Sequence, residues 1–103
     1  MIVRAWRGYA VADKAPAYAH HLQQSVFPKL GGIAGHRGAY LLRREAEGRI
    51  EFLVLTMWDS MQAIQQFAGS TPEKAVVEPE AQAVLAEFDP TVSHYEVVLG
   101  PAG

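Results

Sequence analysis

Two strand-forming stretches carry side chains that could do acid–base chemistry. Arg4 lies in an apolar stretch at the N-terminus, and His94 lies in another near the C-terminus, where Glu96 shares its face. If the first and last strands pair, these groups meet beside the indole of Trp6. A neutral imidazole could then take a proton from a phenol or quinol while the guanidinium holds the anion. The alternative is that these groups form a purely structural hydrogen-bonded cluster, within the sheet or at an interface between two copies of the chain. Buried polar groups need hydrogen-bond partners whether or not they have a functional role.

Large aromatic side chains could form the walls of a site. Trp58 ends the third predicted strand, where it either anchors a helix to the sheet or faces a ligand. Tyr18 and Tyr40 could line a cavity or simply pack. We therefore take Trp6, Trp58, Tyr40 and Tyr18 as the candidate substrate-binding residues.

The remaining histidines do not form a metal-binding pattern. His20 and His21 are adjacent, so their side chains point about 100° apart on a helix and cannot easily share one ion. At most one of them faces a cavity, and His36 sits in a glycine-bounded loop where we expect it to be exposed. The chain has no cysteine, which excludes disulfides, thiol nucleophiles and zinc–thiolate sites. We predict neither a metal nor a cofactor.

Composition indicates one globular domain over residues 1–103. The formal charge is −2 and no run of Lys or Arg occurs, which argues against nucleic acid or an anionic membrane as a partner. The apolar runs are too short for a membrane span, and the N-terminus lacks a signal-peptide pattern. We therefore expect a cytoplasmic protein.

The strands and helices that position the candidate site residues can be predicted from the spacing of apolar residues and from turn-forming residues. We predict strands over residues 2–8, 39–44, 50–58 and 91–99, with a hairpin turn at Glu47–Gly48. The first helix is predicted to be capped by Asp13 and ended by Pro28 and the glycines after it. Its apolar stripe has four-residue steps: Tyr18, Leu22, Val26 and Leu30.

A second helical layer is predicted after the third strand. Asp59 is the expected cap, with Gln62 as its reciprocal partner, and Gly69 ends the helix. A short helical segment is expected from Thr71–Pro72 and is broken at Pro79. The order β-α-β-β-α-β predicts an α+β, ferredoxin-like fold with a four-stranded antiparallel sheet and its helices on one face.

The third strand has apolar side chains on both faces. Leu53, Leu55 and Met57 point away from the face that the helices can cover. In an antiparallel sheet with one solvent-exposed face, each strand should instead alternate apolar with polar residues. The second face therefore needs a partner, and we predict a homodimer formed through this sheet face.

The segment EFLVLTMWDSMQAI, residues 51–64, resembles the corresponding stretch of the antibiotic biosynthesis monooxygenase superfamily of dimeric α/β-barrel proteins. The N-terminal RAWRG and the C-terminal FDPTVSHYEV are similar to a bacterial branch of that superfamily. The resemblance covers nearly the whole chain and implies the same fold, a dimer and a cavity for a small apolar or aromatic ligand.

Heme-degrading members of that superfamily carry an Asn, a Trp and a heme-ligating His. The matching positions here lie near Arg7, at Phe67 and near Val77, so the resemblance does not extend to heme degradation. It implies instead a cofactor-independent monooxygenase or oxidase, or an isomerase, acting on a small aromatic or polyketide-like molecule, with His94 as base and Arg4 as anion holder. A non-catalytic ligand-binding or stress-linked accessory dimer, and a structural dimer without a cavity, remain alternatives.

Overall fold

A computed structural model describes residues 1–101 of the chain. The order of elements is β-α-β-β-α-β, with the last strand split in two. The helical segments are α1 (Ala15–His21), a π-helical turn (Leu22–Val26), α2 (Phe27–Gly31), α3 (Met61–Ala68) and α4 (Pro79–Val84). The strands are β1 (Ile2–Ala10), β2 (His36–Ala46), β3 (Arg49–Trp58), β4 (Glu87–Phe88) and β5 (Ser93–Glu96).

The strands form one antiparallel sheet in the order β2-β3-β1, and both β4 and β5 pair with the remaining edge of β1. This confirms the predicted α+β, ferredoxin-like architecture. The hairpin between β2 and β3 is also confirmed, because Glu47 and Gly48 both have positive φ, 54° and 79°. Two positive φ values in succession give the turn that matches the twist of paired strands.

The last strand is shorter than predicted. Residues 91–99 were expected to be extended, but β5 ends at Glu96 and Val98 beyond it is 86% exposed. The N–H of Asp89 still donates to the Arg7 carbonyl, at 2.9 Å, and residues 90–92 then leave the edge of β1 before β5 begins. Pro90 lies in this gap and has no N–H to give to a neighbouring strand, which explains why the pairing is interrupted there.

The first helical layer continues through Pro28 instead of ending there. The N–H of Phe27 donates to the carbonyl of Leu22, five residues back, which makes the π-helical turn. A proline ring clashes with the carbonyl four residues earlier in a regular α-helix, and the wider turn relieves that clash. The predicted cap at Asp13 is wrong, since α1 begins after Lys14 with no side-chain cap.

The predicted cap of α3 is also wrong. Ser60, not Asp59, accepts the hydrogen bond from the Ala63 N–H, at 3.2 Å. The Asp59 carboxylate is held instead by both nitrogens of an Arg37 fork, at 2.6 and 2.7 Å. The helix ends at Gly69 as predicted, and φ of +81° there suits glycine.

Residues 71–78, here called the strap, were predicted to begin a helix but run without regular structure. Their backbone is tied to residues 90–92: the N–H of Ala75 donates to Pro90, at 3.0 Å, and Val92 donates to Glu73, at 2.8 Å. Pro79 does not break a helix; it lies in the first turn of α4, where a missing N–H is harmless.

The sheet has a covered face and an uncovered one. The helices and the strap cover the face that carries Phe52 and Trp58, which are 1% and 0% exposed. The opposite, outer face carries Leu53, Leu55 and Met57 of β3. Within residues 1–101, no helix is long and apolar enough to cross a membrane.

Candidate functional site

A mainly apolar cavity of about 60 Å³ lies between the sheet and the helices. Its apolar lining comes from β1, the first helical layer, β3, α3, the strap and α4. The polar groups at its edge are Arg4, Tyr18, His21, Thr56 and Glu78. The lining residue Val76 is 45% exposed, so the strap is where the cavity comes nearest to solvent.

Arg4 projects from β1 into this space and is only 6% exposed. One terminal nitrogen donates to the carbonyls of Pro72 and Lys74 in the strap, at 3.2 and 2.9 Å. The guanidinium also lies 5.5 Å from the ring centre of Phe67. Its Nε is buried and has no hydrogen-bond partner among residues 1–101. Burial lowers the pKa of Arg4 to about 10, so the side chain remains cationic at neutral pH.

Trp6 forms the wall next to Arg4 on the same face of β1. Its indole N–H donates to the carbonyl of Asp89, at 2.7 Å, which fixes the ring. Gly8 allows this placement, because a Cβ there would lie 2.8 Å from the Trp6 ring. Tyr18 packs from α1, with its ring centre 6.4 Å from that of Trp6 and 4.9 Å from that of Phe52. Tyr18 and Trp6 both line the cavity.

His21 and Glu78 were not among the predicted site residues, although the sequence indicated that at most one of His20 and His21 faces a cavity. His21 Nε2 lies 3.2 Å from Glu78 Oε1, and the other carboxylate oxygen binds Lys29 Nζ at 2.8 Å. The hydrogen bond from Lys29 is the main cause of the lowered Glu78 pKa, and His21 contributes to it. A sequence signal for His21 existed: it follows Tyr18 by three residues, which places both on one face of a helix.

His94 lies beside Arg4 but does not line this cavity. The two residues are directly opposite in the pairing of β1 with β5. Burial and then the charge of Arg4 lower the pKa of His94, whereas Glu73 of the strap raises it. The expected carboxylate, Glu96, is exposed and pairs with Ile2 instead. The acidic neighbour of His94 therefore comes from the strap, a segment whose position in the fold the sequence periodicity did not predict.

The other two candidate aromatics do not line the cavity. Tyr40 is 59% exposed on the outer face, opposite Leu55. Trp58 faces the helices but belongs to a separate core cluster with Leu30 and Ile64. Its indole N–H donates to the Thr56 hydroxyl, at 2.8 Å. The structure therefore does not bring Tyr40 or Trp58 to this cavity: Tyr40 lies on the outer face, and Trp58 is enclosed by the core.

The cavity residues do not fit a heme. The cavity has about 60 Å³, less than the roughly 150 Å³ that holds benzene, so an aromatic ligand as well as a heme would require the cavity to widen. The lining imidazole, His21, directs its Nε2 at Glu78, and Phe67 and Val77 are also in the lining. Across residues 1–101, no three His, Asp or Glu side chains are grouped as metal ligands would be.

Comparisons with known proteins agree with this architecture. The sequence model of the family described as antibiotic biosynthesis monooxygenase matches residues 1–84. A search of curated proteins gave no match. A MhuD variant with two manganese protoporphyrin IX molecules per active site is 23% identical over 100% of both chains, with a TM-score of 0.72.

Two further crystal structures resemble the chain. The heme degrader MhuD from Mycobacterium tuberculosis, with two hemes bound, is 21% identical, covers 99% of this chain and 100% of its own, and gives a TM-score of 0.63. A Bacillus cereus protein described as an antibiotic biosynthesis monooxygenase is 15% identical, covers 100% and 96%, and gives a TM-score of 0.69. At these identities the structures show a shared fold.

Proposed function

The chain belongs to the antibiotic biosynthesis monooxygenase family, and we propose that it is a cofactor-independent monooxygenase or oxidase acting on a small aromatic or polyketide-like molecule. One observation carries the proposal. Arg4, a buried cation without a carboxylate within 4 Å among residues 1–101, lines an apolar cavity. An unpaired buried cation is costly, and an anionic ligand oxygen would offset that cost.

In the proposed reaction the substrate itself reduces oxygen. A phenol, quinol or enolisable ketone loses a proton to a base, and Arg4 stabilises the resulting anion. The anion then gives electrons to O₂, which is the oxidant. For a CH₂ carbon, one oxygen atom enters the product as a carbonyl and the other leaves as water with the two hydrogens. The dry cavity strengthens the electrostatic stabilisation and keeps water from the reactive anion.

We assign the base to His21 ahead of His94. His21 lines the cavity, whereas His94 lies behind Arg4 and outside the lining. The Glu78 carboxylate, whose Oε1 lies 3.2 Å from His21 Nε2, is placed to stabilise the imidazolium that forms when His21 takes a proton. The role predicted for His94 stays a hypothesis that the assay below tests directly.

We also propose that the outer sheet face joins two copies of the chain. Leu53, Leu55 and Met57 lie on it, and Tyr40 and Tyr95 beside them are 59% and 60% exposed. Neighbouring large apolar groups on one surface are typical of an interface. A second copy of the chain presents the same surface, so a dimer with twofold symmetry would cover the outer sheet faces of both copies.

A non-catalytic ligand-binding dimer is the second candidate, and the small volume of the cavity favours it. Oxygen uptake separates the two. With anthrone or a naphthoquinol as substrate, the enzyme should consume one O₂ per molecule oxidised. The rate of oxygen uptake should exceed the rate without protein.

His21→Gln should lower this rate by roughly 10²–10⁴-fold, while His94→Gln and the exposed His20→Gln should leave it near the wild-type value. If His94→Gln loses activity and His21→Gln does not, His94 and not His21 is the base. Equal rates with and without wild-type protein would favour the binding dimer.

A further inference from the structure

We propose that the strap is a gate, a segment that moves to open the cavity, and that Arg4 holds this gate closed. The cavity of about 60 Å³ is smaller than the roughly 150 Å³ that holds benzene, so a ligand of that size has to displace one of the walls. The inference goes beyond the proposed function, because a gate would serve an oxygenase and a binding protein alike.

The strap is the wall of the cavity that can move at the lowest cost. In the helical walls, Leu30 of α2 and Ala81 of α4 are buried. The sheet wall is joined by nine residue pairs between β1 and β3. None of residues 71–78 is buried, and the segment has no regular structure. Segments with few buried contacts open at low free energy while the rest of the fold stays intact.

Arg4 links the sheet to the strap. One terminal nitrogen of its guanidinium donates to the carbonyls of Pro72 and Lys74, at 3.2 and 2.9 Å. Among residues 1–101 it has no carboxylate within 4 Å, so its partners are these carbonyls and the Phe67 ring. Hydrogen bonds from an ionised donor are stronger than neutral ones. Because the guanidinium would lose both bonds if the strap moved away, the cost of opening depends on Arg4.

The other attachments of the strap are weaker. Two backbone hydrogen bonds join it to residues 90–92, which have themselves left the edge of β1. At the end next to α4, Glu78 pairs with His21 and Lys29. The side chain of Gln82, which is exposed, donates to a strap carbonyl at 2.9 Å. The Lys29 side chain is 63% exposed, and exposed ion pairs contribute little to stability. Release of Arg4 should therefore be the step that limits opening.

A single introduced cysteine can report the opening, because the chain has none of its own. Leu30 and Ile64 are 1% and 0% exposed in one core cluster, and of the two only Leu30 lines the cavity. The probe is methyl methanethiolsulfonate, a small neutral thiol reagent, with mass spectrometry as the readout. The Leu30→Cys thiol should react faster than the Ile64→Cys thiol, at a rate that low urea concentrations leave nearly unchanged. The Ile64→Cys thiol should react only through global unfolding, so its rate should rise steeply with urea.

Removal of the Arg4 contacts should speed the local opening. Arg4→Met breaks contacts that are lost in the open and the unfolded states alike. Both thiols should therefore react faster, by the same factor of roughly tenfold to a hundredfold. The control is Ile50→Val, a change in the core outside the cavity lining, which should speed the reaction of Ile64→Cys alone. The milder Arg4→Lys should act in the same direction as Arg4→Met, and it tests the role of Arg4 if Arg4→Met does not fold.

Equal rates and equal urea dependence for the two thiols would overturn the gate. If Arg4→Met or Arg4→Lys speeds the reaction of Ile64→Cys and not that of Leu30→Cys, Arg4 does not hold the strap closed. Neither readout depends on turnover. A chain that gives both expected results and consumes no oxygen with anthrone would refute the oxygenase proposal alone. A chain that consumes oxygen while its Leu30→Cys thiol reacts only through global unfolding would refute the gate alone.

Discussion

Arg4 and His94 lie directly opposite each other in the antiparallel pairing of β1 with β5, on the face of the sheet that the helices cover. The guanidinium reaches from there to the strap carbonyls of Pro72 and Lys74. Burial and the adjacent cation lower the pKa of His94, so its imidazole is neutral at pH 7. Arg4 is therefore the cation at the cavity, and His94 is a neutral imidazole that lies next to Arg4 and outside the cavity lining.

The lowered pKa of His94 predicts a pH dependence of stability. The unfolded state, with the ordinary value of 6.5, takes up a proton before the folded state does as the pH falls. The wild-type free energy of unfolding should therefore decline below about pH 6.5 and level off below the folded-state pKa. His94→Gln should reduce that decline, as measured by urea denaturation between pH 7.5 and 5. The exposed His20→Gln is the control, and equal declines in wild type and His94→Gln would contradict the prediction.

Arg4→Lys should loosen the strap although the charge is kept. A lysine side chain is shorter, and its ammonium cannot keep the contacts of the guanidinium with both strap carbonyls and with the Phe67 ring. We expect a loss of about 1–3 kcal/mol in the free energy of unfolding and weaker binding of anionic ligands. Thermal denaturation measures the first effect and phenolate titration the second. Arg43→Lys on the exposed part of β2 should change neither.

A charge on the outer face should separate the proposed dimer. Leu55 pairs with Ala5 and Tyr40 on neighbouring strands, in the middle of that face. Leu55→Asp would bury an unpaired carboxylate in the interface, which is costly. Light scattering coupled to size exclusion should give twice the 11.3 kDa chain mass for the wild type and about the single mass for the variant. Gln66→Asp on exposed α3 should stay dimeric, and a monomeric wild type would refute the interface.

Glu51 should contribute to acid sensitivity. Its carboxylate lies 3.0 Å from Arg44 and 3.4 Å from Arg7, and the hydrogen bond from Arg44 is the main cause of its lowered pKa. The stabilisation is present above the ordinary value of 4.5 and is lost as the pH falls through the lower folded-state value. Glu51→Gln should be less stable than wild type at pH 7, with the two curves converging below pH 4.5 in acid denaturation. Parallel curves would exclude this role.

Hemin should bind only weakly and without saturation. Phe67 and Val77 line the cavity, and the imidazole of His21 faces Glu78. Absorbance titration should give no sharp Soret band at one-to-one stoichiometry. A saturable band that disappears in His21→Gln would show that the cavity opens to a porphyrin and that His21 can ligate iron.

Local patterns were enough to predict the fold. The two apolar faces of β3, the glycine turn at Glu47–Gly48 and the stripe on the first helix are local features with spacings of two to four residues. Because such spacings fix which side chains share a face, the sequence also predicted that Arg4 and Trp6 lie on one face of the first strand, but not that this face is the one the helices cover. These residues do line the cavity.

The rest of the site depends on contacts between distant segments, which no short repeat encodes. Glu78 meets His21 because the strap crosses the helical layer, and the strap follows backbone hydrogen bonds to residues 90–92. The sequence could not tell whether Tyr40 lines a cavity, because its side of β2 is decided by the register with β3. The sequence by itself determined the elements and their apolar faces. Only the tertiary structure decided which polar groups converge, because packing of the strap and helices on one sheet face brings together residues far apart in the chain.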